Sequence, residues 1–179
     1  MKGTGSIILY IGARDSGKTS QCKKVIALTG KPKKYFDFRG EYGGAKDYDF
    51  DIFIQSCIDL WNHDIVIEEA TVFLSNRGDD ARVKHVIAGA SHNNSNVHIL
   101  YHSIRSVPTY IMDMCNYYYL FKTGDNVAGI QSKFRGMDDI LNDFKKVRDY
   151  KNPKPCRCPS SLKKPHTIEK HFRICRNHL

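Results

Sequence analysis

An α/β fold, a mostly parallel sheet with helices on both faces, is predicted by three features of this sequence. Short β-branched and aliphatic runs alternate with stretches of helical apolar spacing. The first such run ends in a glycine-rich turn that opens directly into a helix. Another ends in two adjacent carboxylates.

Ser6 to Ile11 (SIILYI) is apolar throughout and stops at a glycine, the pattern of a buried central strand. Helical spacing runs from Gly17 to about Leu28, with Gly30 as its stop. Lys34 to Phe38 (KYFDF) reads as a second strand running into Arg39-Gly40-Glu41-Tyr42, and weak alternation over Asp51 to Ile54 predicts a third. Ile65 to Ile67, Val97 to Tyr101 and Tyr117 to Phe121 are further strands, with helices expected over Ala81 to Ala90 and Tyr110 to Met114. After Gly136, residues Met137, Ile140, Leu141, Phe144 and Val147 predict an amphipathic helix that leads into Asn152-Pro153-Lys154-Pro155. That hinge divides the chain into a body over 1–136, a helix and linker over 137–155, and a tail over 156–179.

A chain of 179 residues with 41% hydrophobic content suffices for one core. No apolar run approaches the length of a membrane span, and no apolar segment of signal-peptide type precedes the first glycine-rich turn, so a cytoplasmic chain is expected. Charge is segregated. Residues 145–179 carry 11 Lys and Arg against 2 Asp and Glu, while residues 1–144 carry 17 against 17, so the whole excess of +9 lies in the tail. Cysteine is segregated too: Cys22, Cys57 and Cys115 stand singly, whereas Cys156, Cys158 and Cys175 crowd the last 24 residues, which without a secretion signal suggests metal ligation.

Gly12-Ala13-Arg14-Asp15-Ser16-Gly17-Lys18-Thr19 fits the phosphate-binding loop G-x-x-x-x-G-K-S/T, with Ser20 next in the helix. Glycines let backbone N–H groups turn inward around phosphate oxygens, Lys18 reaches the β and γ phosphates, and Thr19 holds Mg²⁺, so ATP with Mg²⁺ is the expected cofactor. The strand Asp64 to Ile67 runs into Glu68 and Glu69, whose side chains alternate in direction. Glu68 is assigned to the Mg²⁺ and Glu69 to deprotonation of the attacking water. The competing reading of this pair is a cap on the positive end of the following helix.

These blocks resemble the FtsK-HerA branch of P-loop ATPases, and within it the genome-packaging ATPases of poxvirus-like viruses and internal-membrane phages. The resemblance covers roughly residues 5–125. It rests on GARDSGKT, FDFRGEY (Phe36 to Tyr42), IVIEEAT (Ile65 to Thr71) and SHNNSNVHILYHSIRSVP (Ser91 to Pro108). It implies a RecA/ASCE-type sheet and a ring, usually a hexamer, that couples ATP hydrolysis to movement of double-stranded DNA. It further implies a capsid vertex protein as partner, and a place in the host cytoplasm or with the virion. Where the family commonly has a sensor Gln, this chain has His102 followed by Ser103; His102 either senses the γ-phosphate or is a packed strand-end histidine. The arginine that would serve a neighbouring subunit is open among Arg77, Arg82 and Arg105.

Cys156-x-Cys158-x12-His171-x3-Cys175 is close to a C2H2 zinc-finger pattern with cysteine as the last ligand, so Zn²⁺ held by Cys156, Cys158, His171 and Cys175 is expected, with His171 and Cys175 on one face of a helix. His166 and His178 are substitute ligands, and a disordered basic tail is the alternative. Counting back from His171 places Lys164, Thr167 and Lys170 toward base edges, with Lys163, Arg173 and Arg176 adding phosphate contacts. Such a tail binds DNA mainly by charge. Three other functions compete with a packaging motor: a small nucleotide or nucleoside kinase, an adaptor that binds ATP without hydrolysing it, and a phage-morphogenesis ATPase anchored in a membrane, which the lack of a spanning segment disfavours.

Overall fold

The computed structural model describes residues 5–43, 49–74, 80–134 and 138–149, together with the backbone of 171–174. Six strands form one sheet: β1 (Ile7–Ile11), β2 (Lys33–Phe36), β3 (Asp64–Ile67), β4 (Asn96–Tyr101), β5 (Tyr117–Leu120) and β6 (His171–Ile174). Their order is β2-β3-β4-β1-β5-β6, and every neighbouring pair is parallel. Strand β4 is thus inserted between β1, which feeds the phosphate loop, and β3, which ends in the paired carboxylates.

Side chains alternate across a strand, so a sheet covered on both faces needs apolar residues at every position. Ile7, Leu9 and Ile11 of β1 join one core with Val97, Ile99 and Tyr101, whereas Ile8 and Tyr10 join another with Val66, Leu100 and Tyr119. The smaller core is closed by α1 (Lys18–Ala27) through Cys22 and Ile26. Opposite it pack α2 (Phe50–Cys57), α3 (Ala70–Phe73), α4 (Ala81–Gly89), α5 (Thr109–Met114), α6 (Val127–Ile130) and α7 (Asp138–Asp149). The predicted helices on both faces are therefore present, with one helix on one side and six on the other among the described residues. None of the described helices is long and apolar enough to cross a membrane.

The weak strand expected over Asp51 to Ile54 is a helix instead. Asp49 Oδ1 accepts from the N–H groups of Asp51 and Ile52, each at 3.0 Å, and so caps α2. Phe50, Phe53, Ile54 and Cys57 then fall on one buried face at helical spacing. The cap and the three-and-four spacing outweigh a local alternation of four residues.

A buried polar cluster fixes the order of the central strands. Asp64 and His98 have no exposed side-chain surface. Asp64 accepts from Asn96 Nδ2 at 2.8 Å and from the Thr29 hydroxyl, His98 Nε2 lies 3.4 Å from Asp64 Oδ1, and Tyr10 Oη lies 3.0 Å from His98 Nδ1. A shift in register would leave these groups unpaired in an apolar interior.

Helix α7 buries Ile140, Leu141, Phe144 and Val147 in the larger core. Strand β6 extends the sheet beyond β5, placing residue 171 opposite Tyr117 and residue 174 opposite Leu120. This corrects the helix expected to carry His171: the backbone over 171–174 is extended, and at roughly 3.3 Å rise per residue a strand spreads apart residues that one helical turn would bring together. Cys156, Cys158 and Cys175, and the DNA-contact positions Lys163, Lys164, Thr167, Lys170 and Arg176, lie outside the described residues. Among the described residues no cluster of three or more His, Cys, Asp or Glu is arranged to hold a metal ion.

Phe144→Ala is predicted to destabilise the body by about 3–5 kcal/mol, because the ring is fully buried against Phe134 and the sheet core. Thermal unfolding checks this: a drop in Tm of about 10 °C is expected, and an unchanged Tm would show that α7 is not part of the core.

Candidate active site

A parallel sheet brings the carboxyl ends of its strands to one edge, and ligands bind there in open α/β folds. Here that edge carries Gly12 after β1, Asp37 after β2, Glu68 and Glu69 after β3, and His102 after β4. A cavity of about 260 Å³ opens between them, lined by Arg14 through Ser20, Arg39, Glu41, Glu68, Glu69, Leu100 and His102.

The phosphate loop forms because its sequence tolerates a tight path. A Cβ on Gly12 would stand 2.5 Å from Phe121 Cβ and 2.5 Å from Ser16 Oγ, so only glycine fits. Asp15 and Gly17 take left-handed φ angles of 56° and 92°, and such turns direct successive N–H groups into one concavity. Helix α1 starts at Lys18 with no acidic residue in its first turn, leaving its positive end for an anion. The Ser16 hydroxyl is buried and has no hydrogen-bond partner among the described residues. A phosphate oxygen would satisfy it.

Lys18 Nζ donates to the carbonyl oxygens of Gly12 and Ala13, both at 2.7 Å, and lies 3.3 Å from His102 Nδ1. Burial pushes its pKa down to about 8, against the upward pull of Glu69 and Glu68. Thr19 Oγ1 donates to Glu68 Oε1 at 2.9 Å. Glu68 is only 3% exposed, and burial raises its pKa to about 7. A hydroxyl and a carboxylate side by side next to a phosphate loop are hard oxygen donors of the kind that suits Mg²⁺, so the residues present fit that ion.

Glu69 adopts φ 51°, a left-handed conformation that costs a non-glycine residue about 1–2 kcal/mol. It stands at the cap position of α3 but makes no side-chain cap hydrogen bond. Its carboxylate turns into the cavity instead, with Oε2 2.7 Å from His102 Nε2 and Oε1 2.9 Å from Arg39 Nε. A lysine offers only protons and a carboxylate only lone pairs, so the imidazole between them accepts at Nδ1 and donates from Nε2. His102 is held in turn by its backbone N–H, which donates to Thr71 Oγ1 at 2.8 Å. Beyond it, Asp125 accepts from Ser103 Oγ at 2.7 Å and from the Ile104 N–H at 2.8 Å, securing the loop after β4.

Arg39 and Glu41 reach the cavity on a turn anchored by Asp37, whose Oδ1 accepts from Glu41 N at 2.8 Å and Oδ2 from Tyr42 N at 2.7 Å. Gly40 completes the turn at φ 75°. Lys23 braces it from α1, donating to Glu41 O at 2.5 Å with its ammonium over the Tyr42 ring.

Of the residues singled out from sequence, Arg14, Asp15, Ser16, Gly17, Lys18, Thr19, Ser20, Glu68, Glu69 and His102 line this one cavity, while Gly12 and Ala13 meet it through the carbonyls that hold Lys18. Two of the three arginine-finger candidates fall elsewhere. Arg82 is tied on the surface to Asp51 at 2.6 Å and Asp80 at 2.9 Å, Arg105 is an exposed residue of the 3-10 turn Ile104–Ser106, and Arg77 lies outside the described residues. Sequence reasoning gave no role to Arg39, Thr71 or Asp125. Arg39 could have been found from its place two residues after the strand-end Asp37; Thr71 and Asp125 act across distant segments and left no local signal.

Phosphate loop, acidic strand end and inserted β4 together define the fold of a P-loop ATPase. No protein-family model matches the sequence, and no curated protein matches it. Solved structures do share its fold. B204, the DNA-packaging ATPase of Sulfolobus turreted icosahedral virus, superposes with a TM-score of 0.65 at 14% identity, covering 84% of this chain and 90% of that one. The genome-packaging NTPase B204 of Sulfolobus turreted icosahedral virus 2 gives TM-scores of 0.67 both in complex with ATP-γS and with AMPPCP, again at 14% identity, covering 83% and 82% of this chain and 89% of each of those. B204 is a DNA-packaging ATPase, the kind of protein that the sequence motifs resemble. The chain has the fold of these packaging ATPases.

Glu68 carries a stability cost that its replacement should reveal. Its folded pKa, about 7, lies above the ordinary 4.5, so the folded state holds a proton that the unfolded chain releases between those values. Stability is therefore lost as pH rises from 4.5 through 7. Glu68→Gln should raise unfolding free energy at pH 8 by about 2–3 kcal/mol, with little change at pH 4.5. Thermal melts of both proteins at the two pH values check this; equal melting at pH 8 would contradict it.

Proposed function

We propose that this chain is an ATP-hydrolysing motor that moves double-stranded DNA into a viral capsid. One observation carries the reading: Lys18, His102 and Glu69 form a continuous polar chain beside the Thr19–Glu68 pair, inside the cavity of the phosphate loop. In this reading the loop N–H groups, the Ser16 hydroxyl and Lys18 bind the triphosphate, and Lys18 leaves its loop carbonyls for the β and γ phosphates. Thr19 and Glu68 hold Mg²⁺, which neutralises charge on the phosphate oxygens when bound. Glu69 orients a water for attack on the γ-phosphorus. The bond from that phosphorus to the β–γ bridging oxygen breaks, the proton of the water passes to Glu69, and ADP and inorganic phosphate leave. His102 donates to Glu69 and keeps its carboxylate aimed into the cavity.

The structural neighbours include a DNA-packaging ATPase and genome-packaging NTPases in complex with ATP-γS and AMPPCP, which supports duplex DNA as the load and ATP as the fuel. A homo-oligomeric ring, a hexamer by resemblance, would set one subunit's arginine against the next subunit's phosphates. A capsid vertex protein is the fitting dock for such a ring, in the host cytoplasm or on the virion. The basic tail, including Lys163, Lys164, Lys170, Arg173 and Arg176, supplies an electrostatic grip on the duplex.

Three variants of the full chain test this. Lys18→Ala should weaken ATP binding by about 30-fold or more, the worth of a buried charged contact. Glu69→Gln should retain nucleotide binding but lose about a hundredfold or more in phosphate release; retained turnover would remove Glu69 from the reaction. Replacing the five tail cations named above by Gln should reduce the salt dependence of DNA binding by about four units of log–log slope, with DNA-free hydrolysis unchanged. An unchanged slope would place the DNA grip elsewhere.

A further inference from the structure

Arg39 is an arginine of the cavity that the phosphate loop does not supply, and its partner is the carboxylate assigned as general base. Both oxygens of Glu69 are engaged: Oε1 with Arg39 Nε at 2.9 Å and Oε2 with His102 Nε2 at 2.7 Å. In this arrangement each carboxylate oxygen already faces a donor, the guanidinium or the imidazole. The two partners differ in how firmly they are held. His102 is fixed by Thr71 and by its place at the end of β4, whereas the Arg39 side chain is 40% exposed at the cavity rim, above the turn that Asp37 pins and Lys23 braces.

We propose that Arg39 senses the γ-phosphate within its own subunit, occupying the base Glu69 until ATP arrives and then exchanging that carboxylate for the terminal phosphate. This rests on the ATPase reading above and names the control of the same site. An ion pair with one arm in solvent is worth only about 0–1 kcal/mol, so it yields to a stronger anion. The planar guanidinium fork matches phosphate oxygens, and a γ-phosphate carries more charge than a carboxylate. ADP ends at the β-phosphate, which the loop and Lys18 already surround, so ADP leaves Arg39 on Glu69. The base is thereby released only when there is a γ-phosphate to attack.

Equilibrium binding of ATP-γS and of ADP to the full chain, with Mg²⁺, tests the exchange in wild type, Arg39→Ala, Arg39→Lys, Glu69→Gln and the Arg39→Ala/Glu69→Gln double variant. Arg39→Ala should lose about tenfold in affinity for ATP-γS, the worth of one charge-assisted contact, and none for ADP. Arg39→Lys should regain part of the loss. Glu69→Gln removes the competing carboxylate charge and should bind ATP-γS several-fold more tightly than wild type, an increase that vanishes when Arg39 is also absent. Equal loss for both nucleotides in Arg39→Ala would make Arg39 a mere support of the site and overturn the proposal. So would additive effects in the double variant, or no effect of Arg39→Ala in a wild type that binds normally. A wild type that binds neither nucleotide would defeat the ATPase reading itself, and the sensor with it.

Discussion

Parallel register across β3, β4 and β1 is the constraint on which the site depends. It places Ile11 beside Tyr101 and Ile67 beside Ile99, so that the chain leaves all three strands at nearly the same level. Residues 12, 68–69 and 102 are far apart in sequence, yet they come together at the sheet edge: Lys18 spans Gly12 O and His102 Nδ1, His102 reaches Glu69, and Glu68 accepts from Thr19. The buried Asp64–His98–Tyr10 cluster lies on the same three strands and works for the same end. A slip by one residue would leave it unpaired and would point Glu69 away from His102.

Function is set against stability at this edge. Three acidic groups, Asp37, Glu68 and Glu69, are buried at this edge with one lysine, an excess of negative charge beside the cavity. Glu68 shows the consequence in its raised pKa, and Glu69 in a backbone conformation that favours glycine. The large apolar core on the opposite face, with its cluster of Phe36, Phe50, Phe53 and Phe73, supplies the stability that offsets this strain. A bound cation would relieve the same charges, which ties folding stability to ligand binding.

Much of this could be read from the sequence where the signal was local. The phosphate loop declares itself within eight residues because each glycine and the lysine answers to one backbone or phosphate requirement. Glu68 and Glu69 stand out in the sequence as adjacent carboxylates at a strand end, but the alternation expected of them is absent: Glu69 turns left-handed at φ 51° and both line the one cavity. Helix α2 was misread because four alternating residues mimic a strand until Asp49 is seen as a cap. The helical setting of His171 was misread because ligand spacing alone does not reveal a free sheet edge, and β5 had one to offer. Arg39 went unremarked for a related reason: an arginine in a turn is ordinary until the fold brings a carboxylate 2.9 Å from it.

The central claim is that a triphosphate is bound at the loop and cleaved with help from Glu69, with duplex DNA as the load. Release of inorganic phosphate by the purified full chain, given Mg²⁺ and ATP with and without long double-stranded DNA, addresses it most directly. The account predicts steady turnover that rises when DNA is added. Phosphate release at the level of a protein-free control under both conditions would contradict it.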